Sequence, residues 1–217
     1  MPSYPPLSAV EISRVYGKYQ ALAPTNLTLQ PGQVVVITGP NGAGKSTLLN
    51  CLSGLLRPTT GSVSIEGYDL YADERQAKRR LAFVPDVPRF YTELTAWEHL
   101  QFIALAHDAG QGFAERAEKL LHEFDLWEAR DLYPHNYSRG MRLKLGLLLA
   151  LIRPFKALLL DEPTSALDAQ STDLLIARLG DLRLQGTGIL LSTHNPEIAG
   201  RLAGHIIEIR NGTLVEG

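Results

Sequence analysis

The first third of the chain reads as strands around one helix. Residues 8–15 alternate apolar and polar side chains as a half-buried strand does, and Leu27-Thr28-Leu29 repeats the pattern before the turn Pro31-Gly32. Val34–Thr38 is a β-branched run without alternation, which predicts a strand buried on both faces. A glycine-rich turn at 39–44 follows. Leu48, Leu49, Leu52 and Leu55 then share one face of a helix predicted over 45–56. Residues 61–67 predict a short strand between glycines, 72–80 a solvated helix of alternating charge, and 81–84 a further strand.

From about residue 87 to 153 the pattern turns helical. Thr95-Ala96-Trp97-Glu98 has the form of a capping box at a helix start, 113–126 is amphipathic, and another helix begins near Ser138. Strand signals return at 157–160 and 188–192, around a helix at 169–185. Residues 205–210, Asn211-Gly212 and 213–215 have the pattern of a hairpin. Strands alternating with helices predict a parallel sheet with helices on both faces, and the helical block reads as an inserted subdomain.

Composition narrows the function classes. The chain has 217 residues, 45% apolar and 20% charged, a globular balance that needs no disulfide or metal staple. A net charge of −2 argues against a chain built mainly to grip nucleic acid. The single cysteine, Cys51, excludes an internal disulfide framework and suits a reducing compartment. The longest apolar run, 145–152, falls well short of the roughly 18–20 residues a membrane helix needs. The N-terminus has neither the basic nor the apolar region of a signal peptide. The expectation is a soluble, cytosolic protein, with any spanning of a membrane left to a partner.

Gly39-Pro40-Asn41-Gly42-Ala43-Gly44-Lys45-Ser46-Thr47 matches the Walker A pattern G-x-x-x-x-G-K-[ST]. Glycines let the backbone curl so that successive N–H groups face phosphate oxygens, and the following helix adds its positive end. Lys45 supplies a mobile charge for the outer phosphates, and Ser46 a hydroxyl for Mg²⁺. A predicted buried strand before the loop and an apolar-faced helix after it favour this reading over a chance glycine turn.

The apolar run at 157–160 ends in Asp161 and Glu162. Ligands of parallel sheets gather at the carboxyl ends of strands, where these acids fall. Asp161 is positioned to hold Mg²⁺, directly or through water, and Glu162 to polarise an attacking water as general base. Without the upstream loop, one surface acid and one helix-capping acid would explain the pair equally well.

Taken in order, these residues resemble the nucleotide-binding subunit of ABC transporters. Tyr137-Ser138-Arg139-Gly140-Met141 stands where that family carries Leu-Ser-Gly-Gly-Gln. Ser165-Ala166-Leu167-Asp168 is similar to its D-loop, His194 to its switch histidine, and Tyr16 to the aromatic that stacks on adenine, with Tyr19 a nearby competitor. The form of the 137–141 segment, with Pro163-Thr164-Ser165 after the acids, resembles bacterial exporter-type subunits in particular.

The resemblance implies a single ABC ATPase domain over 1–217. Its fold would be an α/β P-loop NTPase core with a mostly parallel sheet, N-terminal antiparallel strands and a helical subdomain at approximately 87–153. It implies ATP and Mg²⁺ held between two copies, or two homologous subunits, paired head to tail. Ser138, Arg139 and Gly140 of one copy would then face the Walker A of the other, with Asp168 nearby. It implies a transmembrane permease partner, no nucleic acid, and a peripheral position on the cytoplasmic face of the membrane.

Several positions leave the family pattern, Tyr137 and Met141 among them, and two of these bring in a charge. Arg139 replaces its first glycine and either faces phosphate or stands in solvent. Asp86 replaces the glutamine that touches Mg²⁺ and water, and either reaches the metal through water or hydrogen-bonds the turn at 85–88. Two rival functions remain at this point, a soluble ABC ATPase acting on ribosomes or DNA, and a nucleotide-binding module that does not hydrolyse. The chain shows none of the long insertions the first needs, and Lys45, Asp161 and Glu162 argue against the second.

Overall fold

The computed structural model describes residues 4–202 and 204–216. In chain order its elements are β1 (Leu7–Tyr16), β2 (Tyr19–Leu29), β3 (Val34–Thr38), α1 (Lys45–Ser53), β4 (Thr60–Ile65), β5 (Tyr68–Asp69), α2 (Glu74–Arg80) and β6 (Leu81–Val84). Then come α3 (Ala96–Ala106), α4 (Phe113–Glu123), two single 3-10 turns at Trp127–Ala129 and Pro134–Asn136, and α5 (Arg139–Leu151). The chain continues through β7 (Ala157–Asp161), α6 (Ala169–Leu184), β8 (Gly188–Ser192), α7 (Pro196–Arg201), β9 (His205–Arg210) and β10 (Thr213–Glu216).

These elements form two compact units. One comprises the chain up to Phe83, Phe155–Glu162 and the chain from Ile176 onward; the other comprises Val84–Pro154 and Pro163–Leu175. The first holds an antiparallel sheet in the order β2-β1-β4-β5 and a six-stranded sheet in the order β10-β9-β3-β8-β7-β6. Within the latter, β9, β3, β8 and β7 run parallel, and the Asn211-Gly212 turn reverses direction into β10. The α/β class and the mostly parallel sheet are as the sequence pattern predicts, and the antiparallel N-terminal strands as the family resemblance implies.

The strands β3, β7 and β8 lack alternation because both faces are covered. All five residues of β7 and of β8 are buried. The helix α1 is the main cover on one face. Leu48, Leu49, Cys51 and Leu52 are wholly buried among Ile12, Leu22, Ile37, Leu159 and Ile209. Each such leucine contributes roughly 1.5–3 kcal/mol by leaving water.

The predicted helix over 45–56 is shorter in the structure. Gly54 adopts φ 77° and caps α1 with its N–H on the Cys51 carbonyl, so Leu55 lies outside the helix and 70% exposed. The solvated helix starts at Glu74 rather than 72, and β2 begins eight residues before the predicted Leu27. The helix α7 carries too short a pattern to show a period. Its legible signal is Asn195 as N-cap, accepting from the Glu197 N–H at 2.9 Å, with Pro196 at the first position.

In the second unit the capping box is present as read. Thr95 Oγ1 accepts from the Glu98 N–H, and Glu98 Oε2 accepts from the Thr95 N–H at 2.8 Å. His99, buried on α3, accepts from the Tyr91 N–H through Nε2 at 2.9 Å and donates from Nδ1 to the Thr95 carbonyl at 2.8 Å. One imidazole thereby ties the segment after β6 to the start of α3.

Burial pushes the Cys51 thiol up to about 11, against a smaller opposing effect of Arg14. The thiol, the sole one in the chain, is expected to stay unmodified by an aromatic disulfide reagent at pH 8 in the native protein and to react fully in guanidinium chloride. Stopped-flow titration of both states checks this; native reactivity at the rate of a free thiol would contradict the packing around α1.

Candidate functional site

The register of the parallel strands builds the site. Asp161 lies opposite Ser192 across β7 and β8, and Ile37 lies opposite Ser192 across β3 and β8. The segments leaving these three strands therefore emerge at one edge: the glycine-rich loop after Thr38, Glu162 after Asp161, and Thr193-His194 after Ser192. The Thr193 N–H donates to the Ile37 carbonyl at 3.0 Å, which fixes the last of them to the strand before the loop.

The loop is clamped from behind. Gly39 sits at φ 141°, and a Cβ there would come within 2.3 Å of the Ile209 carbonyl oxygen. No side chain fits, so the loop lies directly on β9. The Gly212 N–H donates to the Ala43 carbonyl at 2.8 Å, adding a second tether from the terminal hairpin. Gly44, the N-cap of α1 in a left-handed conformation, has no side chain to cap the helix, which leaves its first N–H groups to a ligand. Ser46 at the first turn is exposed. Lys45 is 7% exposed, and its Nζ donates to the carbonyls of Gly39 at 2.8 Å and Pro40 at 3.2 Å.

The acids differ sharply in setting. Asp161 is 5% exposed, and its Oδ1 accepts from Ser192 Oγ at 2.6 Å. A carboxylate so buried calls for a cation or further donors. Its hard oxygen and the Ser46 hydroxyl are the donors that Mg²⁺ takes, so these residues fit the ion. Glu162 has φ 48°, an uncommon conformation for a side chain of its size, and its N–H donates to Ser192 Oγ at 3.0 Å. Its Oε1 lies 3.9 Å from Lys45 Nζ, and its Oε2 lies 2.9 Å from His194 Nδ1. That last contact requires the His194 proton on Nδ1.

Ser192 escaped the sequence reading. Its hydroxyl, wholly buried, donates to Asp161 and accepts from the Glu162 backbone, joining the two acids. The available signal was a polar residue closing the apolar run at 188–191.

Tyr16 stands at the tip of the β1–β2 hairpin, 45% exposed, with the Arg14 guanidinium 4.5 Å over its ring. Tyr19, directly opposite across the hairpin, is 62% exposed.

The remaining candidates lie in the second unit. Ser138 is the N-cap of α5, its Oγ accepting from the Met141 N–H at 3.2 Å. Tyr137 before it is buried and donates to the Ala129 carbonyl at 2.7 Å; burial pushes its hydroxyl up to about 12. A Cβ on Gly140 would meet the Ala166 carbonyl oxygen at 2.7 Å, so this glycine allows the helix start to touch the loop after β7. Arg139 and Asp86, the two charged departures from the family pattern, are paired: Arg139 Nη2 lies 3.1 Å from Asp86 Oδ1. Ser165 Oγ donates to the same oxygen at 2.7 Å. The sequence reading leaves Asp86 at the metal through water or in the turn at 85–88, and Arg139 at a phosphate or in solvent; here each has the other as partner, opposite charges attracting at this range.

Asp168 caps α6. It accepts from the Ser171 N–H at 2.7 Å and the Ser171 hydroxyl at 3.0 Å, with Lys144 Nζ at 3.3 Å. The two Ser171 donors, aided by Lys144, hold its carboxyl down at about 2.

A nucleotide-phosphate loop, a buried acid and an adjacent glutamate at one sheet edge define a P-loop nucleotide hydrolase. The sequence profile of the ABC transporter family matches residues 22–165. The chain is 31% identical over 209 residues to the ABC-type transporter ATP-binding protein EcsA of Bacillus subtilis, covering 96% of this chain and 85% of EcsA. It is 34% identical over 206 residues to the SkfA peptide export ATP-binding protein SkfE of the same organism, covering 94% and 85%. It is also 34% identical over 207 residues to the methionine import ATP-binding protein MetN of Bordetella pertussis, covering 93% of this chain and 57% of MetN.

Among solved structures, the ATP-binding subunit of an ABC transporter superposes with a TM-score of 0.90 at 32% identity, covering 96% of this chain and 87% of that one. A dimeric ATP-binding cassette in a post-hydrolysis state, bound to ADP and phosphate, gives 0.83 at 26% identity, covering 96% of both. The chain belongs to the ABC transporter family, as an ATP-binding subunit with ATPase activity that energises transport. Subunits of this kind dimerise and work with transmembrane permeases. Among the described residues no helix is long and apolar enough to cross a membrane.

The depressed Asp168 carboxyl fixes the sign of a pH effect. A folded-state pKa below the unfolded value, near 4, contributes stability that is present above that value and fades as pH falls toward about 2. Asp168→Asn is expected to lower stability near neutral pH, and its deficit is expected to shrink as pH drops through that window. Urea unfolding of both proteins at stepped pH reads the difference; a deficit constant with pH would mean that charge plays no part.

Proposed function

We propose that this ATPase subunit drives export through a membrane-spanning partner, with nucleotide sandwiched between two subunits paired head to tail. The observation that carries the hydrolytic reading is the convergence of Lys45, Glu162 and His194, with Glu162 Oε1 3.9 Å from Lys45 and Oε2 2.9 Å from His194. Residues 39–47 hold the phosphates of ATP, with the backbone N–H groups of the loop and of the first turn of α1 as donors. Lys45 leaves the carbonyls of Gly39 and Pro40 to meet the outer phosphates. Ser46 and Asp161 hold Mg²⁺, which when bound offsets the charge of the triphosphate.

Glu162 takes the proton of the attacking water. His194 holds the carboxylate through Nδ1 and uses Nε2 toward the γ-phosphate, so that one ring links the base to the group being cleaved. Tyr16 offers an exposed ring to the adenine, one face already covered by Arg14. Ser138 and Gly140 of the second subunit present the start of α5 to the γ-phosphate. Asp168 orders the adjoining loop. The helical block at approximately 87–153 serves as the subdomain that meets the permease, which holds the complex on the cytoplasmic face of the membrane.

Export over import is supported by the form of the 137–141 segment and by the likeness to SkfE. The equal identity to MetN favours the import reading as the alternative. Native membranes solubilised in mild detergent are expected to yield a multi-span protein in fixed ratio with this chain. The pair in inverted vesicles should move substrate into the lumen on addition of ATP. Movement outward would establish import, and recovery of ribosomes or nucleic acid alone would defeat the transport assignment.

Glu162→Gln is expected to retain ATP binding while turnover falls by a factor on the order of 10²–10⁴, the scale of a lost general base. It is also expected to accumulate an ATP-bound dimer on size exclusion. Turnover equal to wild type would remove Glu162 from the base role.

A further inference from the structure

Three side chains from three separate segments of the second unit meet at one point. Asp86, in the segment after β6, accepts through a single oxygen from Ser165 at 2.7 Å and from Arg139 at 3.1 Å. Arg139 Nη2 also reaches Ser165 Oγ at 3.3 Å, which closes the triangle. The contact does not stand alone. The start of α5 touches the loop after β7 at two further places, Gly140 against the Ala166 carbonyl and Lys144 Nζ 3.3 Å from Asp168 Oδ2. Lys144 is 9% exposed, so its ammonium needs the Asp168 carboxylate. Residues 139, 140 and 144 thus meet residues 165, 166 and 168 in order, and Asp86 joins the first of these contacts to a third segment.

We propose that Asp86, Arg139 and Ser165 are positioning residues, a clamp that sets the N-terminus of α5, and with it Ser138, in the orientation that receives the nucleotide. The proposal rests on the reading of Ser138 as a phosphate-facing residue. The side chains of Arg139 and Asp86 are 60% and 37% exposed, and exposed ion pairs add little to global stability. The clamp therefore acts on local orientation. Its loss shows in the mobility of the helix start and in turnover, with the unfolding midpoint nearly unchanged. Asp86 spends its charge on the guanidinium, so it acts through Arg139 and not on the metal.

The test is a double-mutant cycle on the full chain with Asp86→Ala, Arg139→Ala and the double variant. The first readout is hydrogen–deuterium exchange of residues 138–145 and 163–168, which needs no activity. Each single variant is expected to raise exchange in both segments by about two- to fivefold, the range of an exposed ion pair, and the double variant no further. The second readout is ATPase kinetics. The kcat is expected to fall by a similar factor, with KM for ATP and the half-saturating Mg²⁺ concentration unchanged.

Asp86→Asn, which keeps an acceptor for Ser165 and loses the charge, is expected to fall between wild type and Asp86→Ala. It also decides the matter if an alanine variant fails to fold. Unchanged exchange in both segments, or additive effects in the double variant, would overturn the clamp. So would a shifted Mg²⁺ curve confined to the Asp86 variants, which would place that carboxylate at the metal. Absence of turnover in the wild type would defeat the hydrolytic reading, and the exchange readout would still decide the clamp.

Discussion

The parallel pairing of β7 with β8 is the constraint on which the candidate site depends. It sets Asp161 opposite Ser192, and the buried Ser192 hydroxyl then spans from the Asp161 carboxylate to the Glu162 N–H. A slip of one residue would turn the Ser192 side chain to the other face of the sheet and separate the two acids from their shared partner. The left-handed conformation of Glu162 follows from the same arrangement. The chain must turn sharply at the end of β7 if its carboxylate is to reach Lys45 and His194. Strain of this kind persists where surrounding bonds over-determine it, and the Ser192 hydrogen bond is one of them.

The phosphate loop is held by packing as much as by its own glycines. Gly39 lies against the Ile209 carbonyl, and Ala43 accepts from the Gly212 N–H, so the terminal hairpin acts as a backing plate for the loop. That explains why the last strands, which carry no chemistry, matter to the site. In the second unit charge does comparable work. Lys144 with Asp168 and Arg139 with Asp86 fasten the start of α5 to its neighbours, each pair uniting residues remote in sequence. The two charged residues that depart from the family pattern compensate one another, a carboxylate in place of an amide meeting a guanidinium in place of a hydrogen.

Local signals carried most of the fold. The unbroken apolar runs at β3, β7 and β8, the capping box at Thr95, Ser138 as N-cap and the Asn211-Gly212 reversal are each decided within a few residues, by burial, a single hydrogen bond or a positive φ. The phosphate loop and the acid pair were legible for the same reason, since their chemistry depends on contiguous residues. The end of α1 was misjudged because Leu55 continues the apolar period, while the left-handed Gly54 breaks the backbone. The first half of β2 was missed because Tyr19, Gln20, Ala21 and Pro24 give no alternation; pairing with β1 supplies their order.

What the amino-acid sequence determined by itself was most of the elements, the phosphate loop, the acids and the family. What only the tertiary structure decided was which distant side chains meet. Ser192 looks like an ordinary strand end until the β7–β8 register brings Asp161 to it. Asp86, Arg139 and Ser165 lie 53 and 26 residues apart along the chain, and their union depends on two loops and the start of α5 arriving together. Hydrogen bonds and charges act over a few ångströms, and the chain pattern fixes only neighbours along the sequence. Neighbours in space are set by how the helices and sheets pack.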